Sequence, residues 1–133
     1  LQKHEPTVYV LDEPTTGLHL SDARRLIALL HKLVDRGDTL VIVEHHLEMI
    51  AAADWVVELG PEAGADGGEI VFAGPPSALA KAKTATGVSL AEAWAQRPAV
   101  YAATSSRTRS DQSTTGSAIF SSSRLADHSS APS

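Results

Sequence analysis

The sequence predicts an α/β fold built on a parallel sheet, and two observations lead to this prediction. Residues 8–11 and 40–43 are all-apolar runs, the composition of strands that are covered on both faces. Between these runs, apolar residues recur every three or four positions, as in an amphipathic helix. Strand, helix and strand in this order form the right-handed unit from which parallel sheets are built.

The helix between the two runs is expected to begin near Ser21 and to end before Gly37. Ser21 is a candidate N-cap, Asp22 complements the positive end of the helix, and glycine is common just after a helix C-terminus. The apolar face of this helix is predicted to consist of Leu26, Leu29, Leu30, Leu33 and Val34.

A hairpin is expected after a second, short helix at residues 47–52. The runs WVVEL and EIVFAG are rich in β-forming residues, and the glycines and proline of GPEAGADGG mark a turn-rich connection between them. These strands are predicted to add a hairpin at the edge of the sheet. Two helical segments follow, SALAKAK and SLAEAWA, and Ser89 is expected to cap the second.

Residues 104–133 are predicted to form a disordered tail. Fifteen of these 30 residues are Ser or Thr, and few are large and apolar. Such a segment buries too little apolar surface to offset the entropy that it loses on ordering.

Length and composition limit the classes of protein to which this chain can belong. The 133 residues suffice for one domain, but the chain begins at Leu1 within polar sequence, so we expect a piece of a longer protein. The net charge of −5 and the lack of a basic stripe give no sign of a nucleic-acid surface. Without cysteine, disulfides and thiolate metal sites are excluded from these residues. The apolar runs are too short for a membrane span, so we expect a cytoplasmic protein without a membrane partner.

Polar residues follow both predicted parallel strands, and ligands of such sheets bind at the carboxyl ends of strands. Asp12 and Glu13 follow the first run, and Glu44, His45 and His46 follow the second. An apolar run that ends in Asp-Glu is the Walker B pattern of P-loop nucleotide hydrolases. In that pattern Asp12 holds Mg²⁺ on the nucleotide phosphates, and Glu13 activates the attacking water. Taken alone, the pattern also fits a strand that leads into a solvated turn.

The residues after Glu13 extend the resemblance to ABC-type ATPases, in which the Walker B strand runs into the sequence DEPT-x-GL. The chain reads DEPTTGL at this position, and a second strand then ends at His45. The resemblance implies that His45 is the switch histidine that contacts the γ-phosphate. It also implies that a D-loop at a dimer interface is formed by Thr16, Gly17, Leu18 and His19.

Two longer stretches resemble one branch of these ATPases, the UvrA proteins of bacterial nucleotide excision repair. They are LDEPTTGLH and VIVEHHLEMIAAADWVVELGPEAGADGGEIVFAGPP. UvrA proteins carry His at the position of His19, where transporter ATPases usually have Asp, and they share the ADW and LGPE segments. His46 departs from the family, which usually has Asn there. The resemblance covers residue 1 to about residue 87.

The resemblance implies an ABC ATPase with two nucleotide-binding modules per chain, which uses ATP and Mg²⁺ and loads UvrB at damaged DNA as a homodimer. Residues 1–87 would be the C-terminal part of the second module, residues 88–103 a short helical extension, and residues 104–133 the disordered tail. The sequence contains no G-x-x-x-x-G-K-[ST] loop and no LSGGE signature, so the isolated chain is predicted to be inactive. The zinc-binding cysteines of the family would lie upstream.

Three alternatives remain open at this point. A UvrA-like ATPase of drug self-resistance shares all of these motifs. An ABC transporter ATPase subunit shares the general ones, but His19, ADW and LGPEAG argue against it. A non-catalytic interaction fragment is the third, because the chain lacks half of the expected active site.

Overall fold

The computed structural model describes residues 4–60 and 68–100, together with the backbone of residues 118–122. These residues form a five-stranded sheet of order β1-β2-β5-β3-β4 and four helices. The elements are β1 (Val8–Asp12), α1 (Leu20–Asp35), β2 (Thr39–Val43), α2 (Leu47–Ala51), β3 (Trp55–Leu59), β4 (Ile70–Gly74), α3 (Pro76–Leu79), α4 (Ala85–Gln96) and β5 (Ala118–Ser122).

The order of elements in the first half of the chain is the one that the sequence predicts. β1 and β2 are parallel, with Val8 opposite Thr39 and Asp12 opposite Val43, and α1 connects them. The predicted hairpin is also confirmed, because β3 and β4 pair in antiparallel fashion and β4 forms an edge of the sheet. The chain therefore has an α/β fold with a parallel sheet and an added hairpin.

The core lies on one face of the sheet. Leu40 and Ile42 of β2 and Val56 of β3 point to this face and are almost completely buried. Their burial follows from packing against the helices. The helical residues of this core cluster are Ile27, Leu30, Val34, Met49, Ile50, Ala51, Leu79 and Leu90.

The opposite face of the sheet is open at β1. Val8 and Val10 are 66% and 73% exposed, and Trp55 of β3 is 46% exposed. The prediction that residues 8–11 are covered on both faces is therefore wrong for the part of the chain that the structure describes. The reason is that the described helices place their buried side chains on the other face.

The buried face of α1 differs from its predicted apolar face by a rotation about the helix axis. Ala23, Ile27, Leu30 and Val34 are the buried residues, whereas Leu29 is 55% exposed. These four positions follow the spacing i, i+4, i+7 and i+11 of one helix face. Leu30 and Val34 of the predicted set are buried, Leu26 and Leu33 pack at the border of the core, and only Leu29 was assigned to the wrong side, because a stretch rich in leucine offers more than one apolar face.

Ser21 and Ser89, which were predicted to be N-caps, lie inside α1 and α4. His19 is the N-cap of α1 and makes no side-chain capping bond, so Ser21 falls within the first turn. Thr84 is the N-cap of α4, and its Oγ1 accepts a hydrogen bond of 3.1 Å from the Gly87 N–H. Ser89 is consequently the fifth residue of α4 rather than its cap.

Residues 118–122 differ from the predicted disordered tail, because they form β5. This strand lies between β2 and β3 and is parallel to both. β2 and β3, which α2 connects, are separated by the width of one strand. The backbone N–H and C=O groups of β2 and β3 that face this space need hydrogen-bond partners, and β5 supplies them. The rest of the predicted tail, residues 104–117 and 123–133, lies outside the described residues.

The longest described helix is α1, with 16 residues. A membrane span needs about 20 predominantly apolar residues. No helix in the described part of the chain has the length and apolar character to cross a membrane.

Candidate functional site

The polar residues that follow β1 and β2 lie at the same edge of the sheet. Asp12 is the last residue of β1 and pairs in register with Val43, the last residue of β2. Asp12 is exposed, and its carboxylate is available to a ligand at this edge. The structure thus places the predicted metal-binding residue where ligands of parallel sheets bind.

Glu13 and His45, the two predicted catalytic residues, are brought together. Glu13 Oε1 lies 3.6 Å from His45 Nδ1, and the two side chains are 50% and 61% exposed. Neighbouring strands supply the two residues, so the parallel pairing of β1 with β2 creates this approach. The pair can present a carboxylate and an imidazole to one ligand from solvent.

Glu13 lies just past β1 in a left-handed backbone conformation, with φ of +44°. Few non-glycine residues adopt this conformation, and its cost is of order 1–3 kcal/mol. The Glu13 N–H donates a hydrogen bond of 2.8 Å to the Val43 carbonyl, which ties the turn to β2. Glu13 therefore leaves the line of the strand at a bend, next to Asp12.

The predicted D-loop residues Thr16, Gly17, Leu18 and His19 form an exposed turn between β1 and α1. The Thr16 N–H donates to the Glu13 carbonyl at 3.1 Å, and the Leu18 N–H donates to the Thr15 carbonyl at 3.0 Å. Gly17 has φ of +75°, a conformation that favours glycine. Leu18 is 43% exposed, which makes it the large apolar side chain that this turn offers to a partner.

Glu44 is a residue of the site for which the sequence analysis proposed no role. Its side chain is almost completely buried, at 1% exposure. Its Oε1 accepts hydrogen bonds from the Thr15 N–H at 2.9 Å and from the Thr15 hydroxyl. Its Oε2 accepts from the backbone N–H groups of His45 at 3.0 Å and His46 at 3.1 Å.

Burial by itself raises the pKa of the Glu44 carboxyl, but the bonds from Thr15, His46 and His45 outweigh this effect and hold the pKa below its usual value. The carboxylate is therefore ionised at neutral pH. A pattern in the sequence could have revealed the burial of Glu44. It follows Leu40 and Ile42 at a spacing of two, which directs its side chain to the same, buried face.

Asp12 is the residue at this edge that could hold the metal of a bound magnesium–nucleotide complex. Within the described residues, no cluster of three or more His, Cys, Asp or Glu side chains could hold a metal ion. Mg²⁺ that carries nucleotide phosphates needs only one or two protein carboxylates, because phosphates and waters supply its other ligands. Asp12, exposed at the end of β1, meets this requirement.

Comparison with known proteins identifies the relatives of this chain. Over 93 residues, which are 69% of the chain, it is 53% identical to UvrABC system protein A of Mesorhizobium japonicum. It is 53% identical over 85 residues to the protein of the same name from Thermus thermophilus, and 54% identical over 77 residues to that of Escherichia coli O6:H1. Those lengths are 64% and 58% of the chain. No family model matches the chain.

The resemblance to UvrA is confirmed. A solved structure agrees, because UvrA2 from Deinococcus radiodurans superimposes with a TM-score of 0.61 at 49% identity. The match covers 66% of this chain and 11% of the UvrA2 chain. The chain spans 8–10% of the length of the three UvrA relatives named above.

Proposed function

We propose that this chain carries the Walker B, D-loop and switch-histidine part of an ABC-type ATP site in a UvrA-like DNA-repair protein. The observation that carries the proposal is the approach of Glu13 to His45 beside Asp12. Residues predicted to serve one reaction come from two strands and meet at one edge of the sheet. The similarity to UvrABC system protein A supports the same conclusion.

Each side chain has a proposed task on magnesium–ATP as substrate. Asp12 would hold the Mg²⁺ that accompanies the phosphates and neutralises part of their charge, and Glu13 accepts a proton from the attacking water. His45 donates a hydrogen bond to the γ-phosphate, where negative charge must be stabilised. The distance of 3.6 Å between Glu13 and His45 allows both to act around the same phosphate.

The surroundings of this site follow from the resemblance and are part of the proposal. The chain would be the C-terminal part of the second of two ATPase modules, in a cytoplasmic homodimer that binds damaged DNA and UvrB. Thr16, Gly17, Leu18 and His19 would contact the other half of a composite ATP site. The 133 residues contain no Walker A loop, whose backbone amides and lysine bind phosphate, so they would not hydrolyse ATP alone.

The test uses Glu13→Gln in a full-length UvrA that carries these residues at the matching position. The Walker A lysine of the other module is replaced, so that single-turnover hydrolysis reports this site alone. We expect ATP affinity to change little and hydrolysis to slow by about 10²- to 10⁴-fold, because glutamine keeps the shape of glutamate but is not a useful base.

Glu92→Gln is the matched control, because it makes the same chemical change at an exposed position on α4. It should leave both the rate and the affinity unchanged. A second variant, Asp12→Asn, should weaken the binding of magnesium–ATP itself. If Glu13→Gln hydrolyses ATP as fast as its parent, Glu13 is not the base and the proposed site is wrong.

A further inference from the structure

Two loops of the candidate site meet at one buried carboxylate. We name residues 13–19 the front turn and residues 44–46 the sensor loop. The front turn carries Glu13 and the exposed D-loop residues, and the sensor loop carries His45. Glu44 bonds to both, since Oε1 accepts from Thr15 and Oε2 accepts from His45 and His46.

The chemistry of this junction requires a carboxylate. Four donors converge on the side chain, three backbone N–H groups and one hydroxyl. An ionised carboxylate accepts at both oxygens, whereas glutamine accepts at one and would turn an NH₂ group towards the donors of one of the loops. Bonds to an ionised acceptor are also about twice as strong as neutral ones.

We propose that Glu44 is a positioning residue that holds the front turn and the sensor loop in one relative placement. Through this link, together with the bond from the Glu13 N–H to the Val43 carbonyl, Glu13 and His45 are kept 3.6 Å apart although both side chains are half exposed or more. Thr15 directly precedes the D-loop residues, so a partner that moves the front turn acts on His45 through the same carboxylate. The catalytic consequence rests on the proposed function, whereas the link between the loops is a property of this chain.

A second buried carboxylate provides the comparison that separates positioning from general stability. Glu48 is 5% exposed, and both of its oxygens accept bonds of 3.0 Å from the Arg24 guanidinium. That ion pair joins α1 to α2, and its two hydrogen bonds involve no atom of the front turn or the sensor loop. Glu48→Gln therefore disturbs a buried carboxylate without breaking the link at Glu44.

Amide hydrogen exchange by NMR on the 133-residue chain tests the link directly. We expect Glu44→Gln to speed exchange at the amides of Thr15, His45 and His46 by tenfold or more relative to the amides of β2. Glu48→Gln should leave that ratio unchanged. If Glu44→Gln alters exchange uniformly, or leaves the three amides as protected as before, the proposal is overturned.

Thr15 offers a milder pair of variants in case Glu44→Gln does not fold. Thr15→Val removes the hydroxyl donor at constant size, and Thr15→Ser keeps a hydroxyl. We expect Thr15→Val to raise exchange at the His45 amide by severalfold and Thr15→Ser to restore it. Equal exchange in the two variants would overturn the proposed link.

Steady-state kinetics in the full-length protein described above tests the catalytic consequence. Glu44→Gln and Thr15→Val should lower kcat by tenfold or more with little change in KM for ATP, and Thr15→Ser should recover kcat. If Glu13→Gln slows hydrolysis but Glu44→Gln does not, the positioning role fails while the proposed function stands. If Glu13→Gln has no effect, the proposed function fails, and the exchange experiment still decides whether Glu44 links the loops.

Discussion

At the scale of single residues, strained backbone conformations occur in the turn that follows β1 at the edge of the sheet. Glu13 has a positive φ of 44°, and Gly17 in the same turn has a φ of 75°. The chain reverses here between β1 and α1, and the turn is closed by the bonds from Thr16 and Leu18. Strain of this kind persists only where the surrounding bonds over-determine the backbone.

A substitution at Gly17 tests the strain of this turn, because an alanine side chain there does not clash with neighbouring atoms. An added Cβ would meet nothing within 4 Å, so Gly17→Ala introduces backbone strain and no clash. We expect the free energy of unfolding to fall by about 1–2 kcal/mol in chemical denaturation. Gly17→Asn should cost less, because asparagine adopts left-handed conformations more readily. Equal stability of Gly17→Ala and the parent would contradict the observed turn.

Asp38 is a completely buried carboxylate that joins the segment before β1 to the loop after α1. It accepts bonds from the Thr7 N–H at 3.0 Å, from His4 Nε2 at 2.8 Å and from the Arg36 guanidinium at 2.6 Å and 3.0 Å. Burial raises its pKa, but the bonds from Arg36, Thr7 and His4 prevail and lower it below the usual value. The pKa of Glu44 is lowered for the same kind of reason.

These two lowered pKa values predict acid sensitivity of the fold. A carboxyl whose pKa is lower in the folded state stabilises the fold above its unfolded pKa, which is about 4. That stabilisation is lost as the pH falls from about 4 through the folded pKa values. Over this range the carboxyls of the unfolded chain bind protons more readily than those of the folded state, and this difference favours unfolding. We expect the free energy of unfolding to decline over this range.

The variants Asp38→Asn and Glu44→Gln should make the decline shallower, when unfolding by urea is measured at a series of pH values. Glu92→Gln on the exposed surface of α4 should reproduce the slope of the parent. A slope that neither Asp38→Asn nor Glu44→Gln changes would show that other groups cause the acid sensitivity.

At the scale of elements, α1 shows how far periodicity determines a buried face. Sequence periodicity assigned Leu29 to the core, whereas the structure exposes it and buries Ile27 at 5% exposure. Ile27 lies in the core cluster with Leu30 and Ile42. Packing against the sheet decides which face of α1 is buried. The sequence of the helix alone does not contain the position of the sheet, so periodicity could not select between the apolar faces.

Two alanine variants distinguish the observed face of α1 from the predicted one. Ile27→Ala should lower the free energy of unfolding by about 2–5 kcal/mol, because it removes packed methylene groups and leaves a cavity. Leu29→Ala should change it by no more than about 0.5 kcal/mol, since the side chain is 55% exposed. Denaturation curves of the two proteins provide the measurement, and a larger loss for Leu29→Ala would reverse the assignment.

At the scale of the whole molecule, the sheet depends on a strand from the end of the chain. β5 lies between β2 and β3, and four register pairs join it to each neighbour. In a parallel sheet, alternate residues of a strand bond to opposite neighbours. The centre of the sheet is therefore continuous only while residues 118–122 occupy this position.

Replacing Ile119 and Phe120 by proline tests the role of β5. Consecutive prolines remove one N–H donor towards each neighbouring strand, so both ladders are broken. We expect a lower free energy of unfolding and faster amide exchange in β2 and β3, measured by denaturation and by NMR. A control with alanines at the same two positions keeps both N–H donors and should retain more of the parental protection. Equal protection in both double variants would show that β5 contributes nothing to the sheet.

The sequence predicted those features of the site that depend on neighbours along the chain. Asp12 and Glu13 after one apolar run and His45 after another were enough to place three candidate site residues at one edge of a sheet. The same reasoning missed Glu44, although its spacing from Leu40 and Ile42 contained the information. From the sequence alone, a charged residue at the end of a strand is expected to lie in solvent. Its burial can be inferred only when the hydrogen-bond donors that another segment brings to it are known.

The sequence by itself determined the alternation of strand and helix, the hairpin and the identity of the residues at the strand ends, because apolar periodicity and turn residues act over a few positions. Only the tertiary structure decided that Glu13 approaches His45, that Glu44 joins two loops, that β1 exposes one face and that β5 completes the sheet. Each of these features depends on pairing or packing between segments that are distant in the chain. Such contacts leave no local pattern in the sequence, because they form only when the core packs and the backbone hydrogen bonds between distant segments are made.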